Sequence, residues 1–599
     1  MKTKYQSDII SHLLLSILFV IMAFTYFFYF YQFHLHFEEQ LQMFLFTKSY
    51  FYDFLSRPGG LTDYLGTFFM QFYFVSWAGA LIIAFLLILL QYQVFAISSK
   101  INNYHKIDYF LISFIPSFLI WGLLCNENIS INILITSIII LFFVELYLIL
   151  KKRTIRWIFF LFASPFLFWI AGGEFWIFNL ICFVIELFYY KHLKISEYFV
   201  LALLMIITTS SPIIFSWLAR LQYPLNRLWW GPWYSRYPIV SPTTFLLSWL
   251  SIPFSIFITT ILPEISKRKN AIILKSLLFL VIFSGGVFIV IGSSDQKKEK
   301  IMAYDYYARN EKWDKIIELA NKKDPKDPLS VTCLNLALAK TGVMGDAMFR
   351  YFQNGIEGLL PTFQRDFVTP FVAGEIYYHL GFLNTSLRYN FEAMEAIPDH
   401  KKSVRAMKRM AEVNLLNEEY KVAEKYLNLL SKTLFYREWA KHTLSIINNP
   451  KAINENTEWE KLKKYQFTED FLFSEQEKDQ MLGLSLLHCP TNKMVYEYLM
   501  AYTLLNRDLK HFYEYYPLGK EIYYKKIPSH YQEALILFWS IHPLGLDNIP
   551  NMIDVPVKQK FIQFVNDYSS EEYKTKKELF QKKYSQTYWY YYYFINQII

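Results

Sequence analysis

The sequence predicts an all-α protein: a polytopic transmembrane helical domain of about nine spans, then a soluble α-helical, repeat-like domain. Three observations predict it. Apolar runs of about 17–25 residues recur through the first half, each long enough to cross bilayer hydrocarbon as a helix. Charge then rises abruptly: of 111 Lys, Arg, Asp and Glu side chains, 31 lie in 1–294 and 80 in 295–599. A break of that size marks a change of solvent from lipid to water. Beyond it, short amphipathic helical segments follow one another in pairs. The predicted domains are therefore 1–294, transmembrane, and 295–599, extracytoplasmic and helical.

The apolar runs lie near 9–33, 73–97, 107–125, 129–150, 156–172, 175–190, 197–218, 244–265 and 271–292. The fifth and sixth are the shortest and would form a tight hairpin through Gly172-Gly173-Glu174. Basic residues alternate between the loops. Lys2, Lys4, Lys100, Lys106, Lys151, Lys152, Arg153, Arg156, Lys191, Lys194, Lys267, Arg268, Lys269 and Lys275 fall on one side. Only Lys48, Arg57, Arg220, Arg227 and Arg236 fall on the other. Cytoplasmic loops carry the excess of Lys and Arg, so the N-terminus is expected in the cytoplasm. Nine crossings then put the tail outside a bacterial plasma (inner) membrane, in the periplasm where a second membrane exists. The first run is longer than the usual core of a cleavable signal and has no small-residue cleavage site after it, which reads as a retained signal anchor.

The formal net charge of +9 divides into +7 for the membrane half and +2 for the tail. The tail shows no basic stripe, so nucleic acid is not an expected partner. Cys125 and Cys182 sit in or beside apolar runs, and Cys333 and Cys489 in the tail, in no metal-ligand spacing. Glu145 and Glu186 sit near cytoplasmic helix ends beside lysines. They read as interfacial pairs or, alternatively, as buried relay carboxylates.

The segment 34–72 is long and too apolar for a simple connector, so one or two interfacial helices broken at Pro58-Gly59-Gly60 are expected. It carries His34, Glu38, Glu39 and Asp63. Carboxylates just outside a span bind a cation or serve as general base. His34 and Glu38, four apart, share a helix face and are the candidate ligands of a divalent cation. The segment 219–243 carries Arg220, Arg227 and Arg236 with Trp229, Trp230 and Trp233. Guanidinium forks suit phosphate and indole faces suit sugar rings. Glu174 would join either cluster. Each group also has a structural reading, as helix-end polar residues and an aromatic belt at the lipid headgroups.

In the tail, Asn417 to Ala423 reads Asn-Glu-Glu-Tyr-Lys-Val-Ala, which resembles the middle of a tetratricopeptide repeat; Asn310-Glu-Lys-Trp313 resembles it less fully. That resemblance implies stacked helical hairpins that bind a protein partner. The aromatic run from Tyr588 to Phe594 reads as a terminal helix packed on the last hairpin or dipping into the interface. In layout, the many spans, the acidic first outside loop and the outside domain resemble the GT-C class of membrane glycosyltransferases. The resemblance implies Glu38, Glu39, Asp63 and Glu174 as catalytic residues. It implies the arginines and tryptophans of 219–243 as the site for a polyprenyl-phosphate-linked glycan. The adjacent Glu38-Glu39 pair departs from the acidic-x-Asp signature of that class. The whole chain also resembles an uncharacterised family of polytopic bacterial membrane proteins with a repeat-like tail. No nucleotide-binding P-loop, H-E-x-x-H, G-x-S-x-G or C-x-x-C motif occurs. Two functions follow: a transferase acting on a lipid-linked donor at the outer face, or a non-catalytic assembly protein that recruits an envelope partner through its hairpins.

Overall fold

A computed structural model describes residues 2–101, 107–189, 194–230, 243–262, 271–398, 401–447, 449–467, 473–541, 552–570 and 577–598. Helices account for the regular structure, and no strand occurs among the described residues. The chain forms two compact units. The first comprises Met1–Glu299 with two later segments, Pro398–Val404 and Lys432–Arg437; the second comprises Lys300–Ile397, Arg405–Ser431 and Glu438–Ile599.

The first unit is a helical bundle of a membrane protein. Five stretches among the described residues, not nine, are long and apolar enough to cross a membrane: Ile10–Phe30, Ser76–Ile101, Asn132–Ile149, Arg153–Phe188 and Ile272–Ser293. A sixth is possible where Ile195–Thr209 and Ser211–Leu218 meet at a 42° bend. The expected count of nine fails for local reasons. The 107–125 run opens as a 3-10 turn, Ile107–Ser113, and leaves only ten residues, Phe114–Leu123, as α-helix. The 244–265 run yields a short apolar helix, Thr244–Thr259.

The runs at 156–172 and 175–190 merge into one apolar stretch that turns back at Gly172–Glu174. Gly172 supplies the turn with a φ of +72°. The fold-back brings Phe160 and Phe178 to a ring separation of 5.8 Å. At the open end, Arg156 Nε lies 2.5 Å from Glu186 Oε1, and the Tyr147 hydroxyl donates to the same oxygen at 2.8 Å. Both Arg156 and Glu186 are buried. Glu186 thus pairs with a buried arginine and not with the interfacial lysine the sequence suggested. Glu145 does meet Lys100, at 3.9 Å.

The second unit is a series of antiparallel helix pairs with one recurrent turn. Glu311, Gly342, Gly381, Glu418 and Arg507 all adopt positive φ. In each, the following N–H reaches back five residues to a helix carbonyl: Lys312 to Tyr307, Val343 to Leu338, Phe382 to Tyr377, Glu419 to Asn414 and Asp508 to Thr503, at 2.9 Å every time. This left-handed cap satisfies the last carbonyls of one helix and aims the chain into the next. The hairpins are tied by a buried charge network. Arg405 holds Asp305 at 2.8 Å, and Arg409 holds Glu375 at 2.5 Å and Glu412 at 2.7 Å. The aromatic end of the chain, Tyr588–Ile598, packs on the last helices, with Tyr588 and Trp589 buried and the Trp589 indole donating to the Glu533 carbonyl at 2.7 Å. All four cysteines are free thiols.

Candidate functional site

The 34–72 segment folds as three short helices, Gln32–Gln40, Lys48–Leu55 and Gly60–Met70. The last begins after the expected Pro58-Gly59-Gly60 break, where Gly59 has a φ of +73° and its N–H donates to the Trp169 carbonyl at 2.8 Å.

Helix Gln32–Gln40 begins where Tyr31, at φ −143° and ψ 36°, breaks the first span out of helical geometry. Its first amides need an acceptor. Glu299 supplies one: its carboxylate accepts from the N–H groups of Phe33 at 2.8 Å and His34 at 2.9 Å. His34 Nε2 lies 3.1 Å from the Leu124 carbonyl and 3.3 Å from Glu38 Oε1, so the i,i+4 pair does share a face. Burial alone would push His34 down; the Glu38 carboxylate, with Glu299 and Glu127 behind it, outweighs burial and holds it above its ordinary value. Burial raises the Glu38 carboxyl above its ordinary range against the pull of His34 and Lys401. Glu299 is pushed up to about 7 by burial, against its two backbone bonds and His34.

The two late segments of the first unit close over this helix. The Tyr436 hydroxyl donates to Glu39 Oε1 at 3.1 Å, and the Ser403 hydroxyl donates to the Gln40 carbonyl at 2.7 Å. The Phe46 N–H donates to the Lys432 carbonyl at 3.0 Å, and Phe435 stacks on Phe74 at 4.8 Å. Glu38 is 6% and Glu39 3% exposed as a result. Among the described residues, no group of three or more His, Cys, Asp or Glu side chains is arranged to hold a metal ion. The His34–Glu38 pair lacks a third protein ligand of that kind.

Asp63 and Glu174 lie near enough to interact electrostatically, in a second cluster. Asp63 bonds Arg57 at 3.2 Å and accepts from Asn132 Nδ2 at 2.7 Å. Glu174, in the hairpin turn, is fully buried, and neither of its oxygens has a hydrogen-bond partner in normal geometry; the Asp63 carboxylate and the Trp249 indole are its polar neighbours. Helix Leu225–Trp230, which carries Arg227, Trp229 and Trp230, packs on the same turn. The Trp229 indole is already committed to the Thr209 carbonyl at 2.9 Å. Arg220 lies exposed with a φ of +49° just after helix Ser211–Leu218. Trp233 and Arg236 lie outside the described residues, as does the side chain of Trp230.

The structure thus gathers Asp63, Glu174 and the Arg227 helix, and gathers His34, Glu38 and Glu39 in a different place. Sequence reasoning missed Glu299, Asn132, Trp249, Ser403 and Tyr436. Only the Leu434-Phe435-Tyr436 run, apolar amid polar tail sequence, signalled a packed segment there, with Phe435 and Tyr436 half-buried.

A family model matches residues 7–595, from the first span to the aromatic terminal helix. The chain belongs to the family of unknown function DUF6057. No curated protein matches the chain. No solved structure matches it either. The DUF6057 match spans both compact units, so the family is defined by the bundle and the hairpins together.

Proposed function

We propose that this DUF6057 protein is a non-catalytic assembly protein of the bacterial envelope, with a cytoplasmic N-terminus and a hairpin unit outside the plasma membrane that docks an extended segment of another envelope protein. The observation that carries this reading is an amide ladder along the turn edge of three neighbouring helical layers. Asn417 Nδ2 donates to Asn384 Oδ1 at 2.7 Å, and Gln466 Nε2 donates to Asn417 Oδ1 at 2.8 Å. These amides line a shallow pocket with Gly381, Phe382 and Phe467. A primary amide offers both donor and acceptor, which is what an extended peptide backbone requires of its receptor. Stacked hairpins of tetratricopeptide type present such edges as continuous surfaces. The enclosure of Glu38 and Glu39 supports the same reading, since neither carboxylate is open to a substrate.

The Asp63–Glu174 cluster favours a second reading, a GT-C-like transferase in which Asp63 is the base and Arg227 holds a polyprenyl phosphate. One experiment separates the two. A photo-crosslinking residue in place of Asn384, in the full chain in cells, should give one discrete adduct with an envelope protein. Asn417→Ala with Gln466→Ala should abolish that adduct, and Asp63→Asn should leave it intact. The docking reading is wrong if no discrete adduct forms; an adduct lost on Asp63→Asn alone would favour the transferase.

A further inference from the structure

We infer that the first and last membrane-spanning helices hold a diacyl phospholipid between them, with one acyl chain in a groove and a glycerol-ester or phosphate oxygen accepting the indole N–H of Trp121. The groove encloses about 450 Å³, within the roughly 300–1,000 Å³ of small-molecule pockets. Ile21, Met22 and Phe30 form one wall, Val287, Val290 and Ile291 the other, and Trp121 the floor. Ile21 and Ile291 stand on its rim, 57% and 65% exposed, so the groove opens where lipid lies beside a membrane protein.

Its lining is mixed as a lipid is: the walls are mostly apolar, and Thr25, Tyr26 and Gln296 add polar groups. Tyr26 is hydrogen-bonded to Ser294, and the exposed Lys297 follows Gln296 in sequence.

A second observation, independent of the groove's shape, is Trp121 itself. Its side chain is 3% exposed, its ring packs edge-on to Phe19 at 5.8 Å and Tyr26 at 5.5 Å, and its indole N–H has no acceptor among the described residues. A buried N–H left unpaired costs about 1–3 kcal/mol, which an acceptor supplied by a ligand would remove. Water competes poorly in an apolar groove that opens toward lipid. Tryptophan near the interface characteristically keeps its ring in the apolar layer and its N–H toward ester and phosphate oxygens.

The test uses the full chain in nanodiscs of phosphatidylethanolamine and phosphatidylglycerol, released into detergent and weighed by native mass spectrometry. The parent protein should retain phospholipid through detergent washing. Trp121→Phe keeps the ring packing and removes the donor; it should lower retained lipid about fivefold, the worth of one hydrogen bond. Ile291→Trp fills the groove from an exposed rim position that the core does not use, and should lower it at least as far. A photo-crosslinker at Ile21 should yield a phospholipid adduct. Equal lipid retention by the parent and both folded variants overturns the proposal. So does an Ile21 crosslink to a second copy of the chain in place of lipid.

Discussion

At the scale of single residues, Glu299 shows how position outweighs residue type. In sequence it is one of the first charges of a polar tail; in the fold it caps helix Gln32–Gln40 from within the first unit. Its carboxyl, pushed up to about 7, binds its proton more tightly than in an unfolded chain. Stability from such a group is fully present below the ordinary carboxylate range and is lost as pH rises through about 7. His34 and Glu38, also held above their ordinary values, act with the same sign. Thermal unfolding of the detergent-solubilised protein should therefore move to lower temperature as pH rises from the ordinary carboxylate range to about 7. Glu299→Gln should flatten that dependence. A slope unchanged in the variant would show that the titration belongs elsewhere, Glu497 in the second unit being next, since burial pushes it up to about 7 as well. The pairing of His34 with Glu38 was legible from a spacing of four. The enclosure of Glu38 and Glu39 was not, because Ser403 and Tyr436 lie more than 350 residues away in the chain.

At the scale of elements, the second unit repeats a turn more faithfully than it repeats a sequence. The left-handed position is Gly at 342 and 381 but Glu at 311 and 418 and Arg at 507. A side chain there costs energy that glycine does not. Glu418→Gly should therefore stabilise the full chain by about 0.5–1 kcal/mol, read by chemical denaturation. Gly381→Ala should destabilise it by more than that, because φ is +94° and the new Cβ would stand 2.6 Å from Tyr465 Cβ. A neutral Gly381→Ala would show that the turn relaxes freely. The Asn417 hairpin was readable because its motif is local. The left-handed positions at Glu311, Glu418 and Arg507 were not readable, because such a cap leaves a signature only where glycine fills it.

In the first unit, the buried Arg156–Glu186 pair is the element that locks the hairpin. Arg156→Met alone should cost about 3–5 kcal/mol by stranding Glu186, and adding Glu186→Leu should restore most of it, both read as detergent-phase unfolding temperatures. A single variant as stable as the parent would mean the pair is solvated.

At the scale of the whole molecule, the proposed orientation rests on the basic loops for the N-terminus and on an odd number of crossings for the tail. With Cys489 replaced by Ser to remove the one half-exposed thiol, a membrane-impermeant maleimide added to spheroplasts should label Lys323→Cys and spare Lys152→Cys, both at exposed positions. The reverse pattern would invert the proposed topology and put the hairpin unit in the cytoplasm.

The sequence by itself determined the helical class, the hairpin at Gly172–Glu174 and the break at Pro58–Gly60. Each is written in contiguous composition or in a turn residue, and a local cause leaves a local mark. Only the tertiary structure decided which carboxylates meet and which are closed off. It set Asp63 beside Glu174, gave Glu186 an arginine, capped one helix with Glu299 and wrapped two distant segments over Glu38 and Glu39. Those outcomes depend on contacts between residues far apart in the chain, and the free energy of such contacts is carried by packing and burial, which no single stretch of sequence displays.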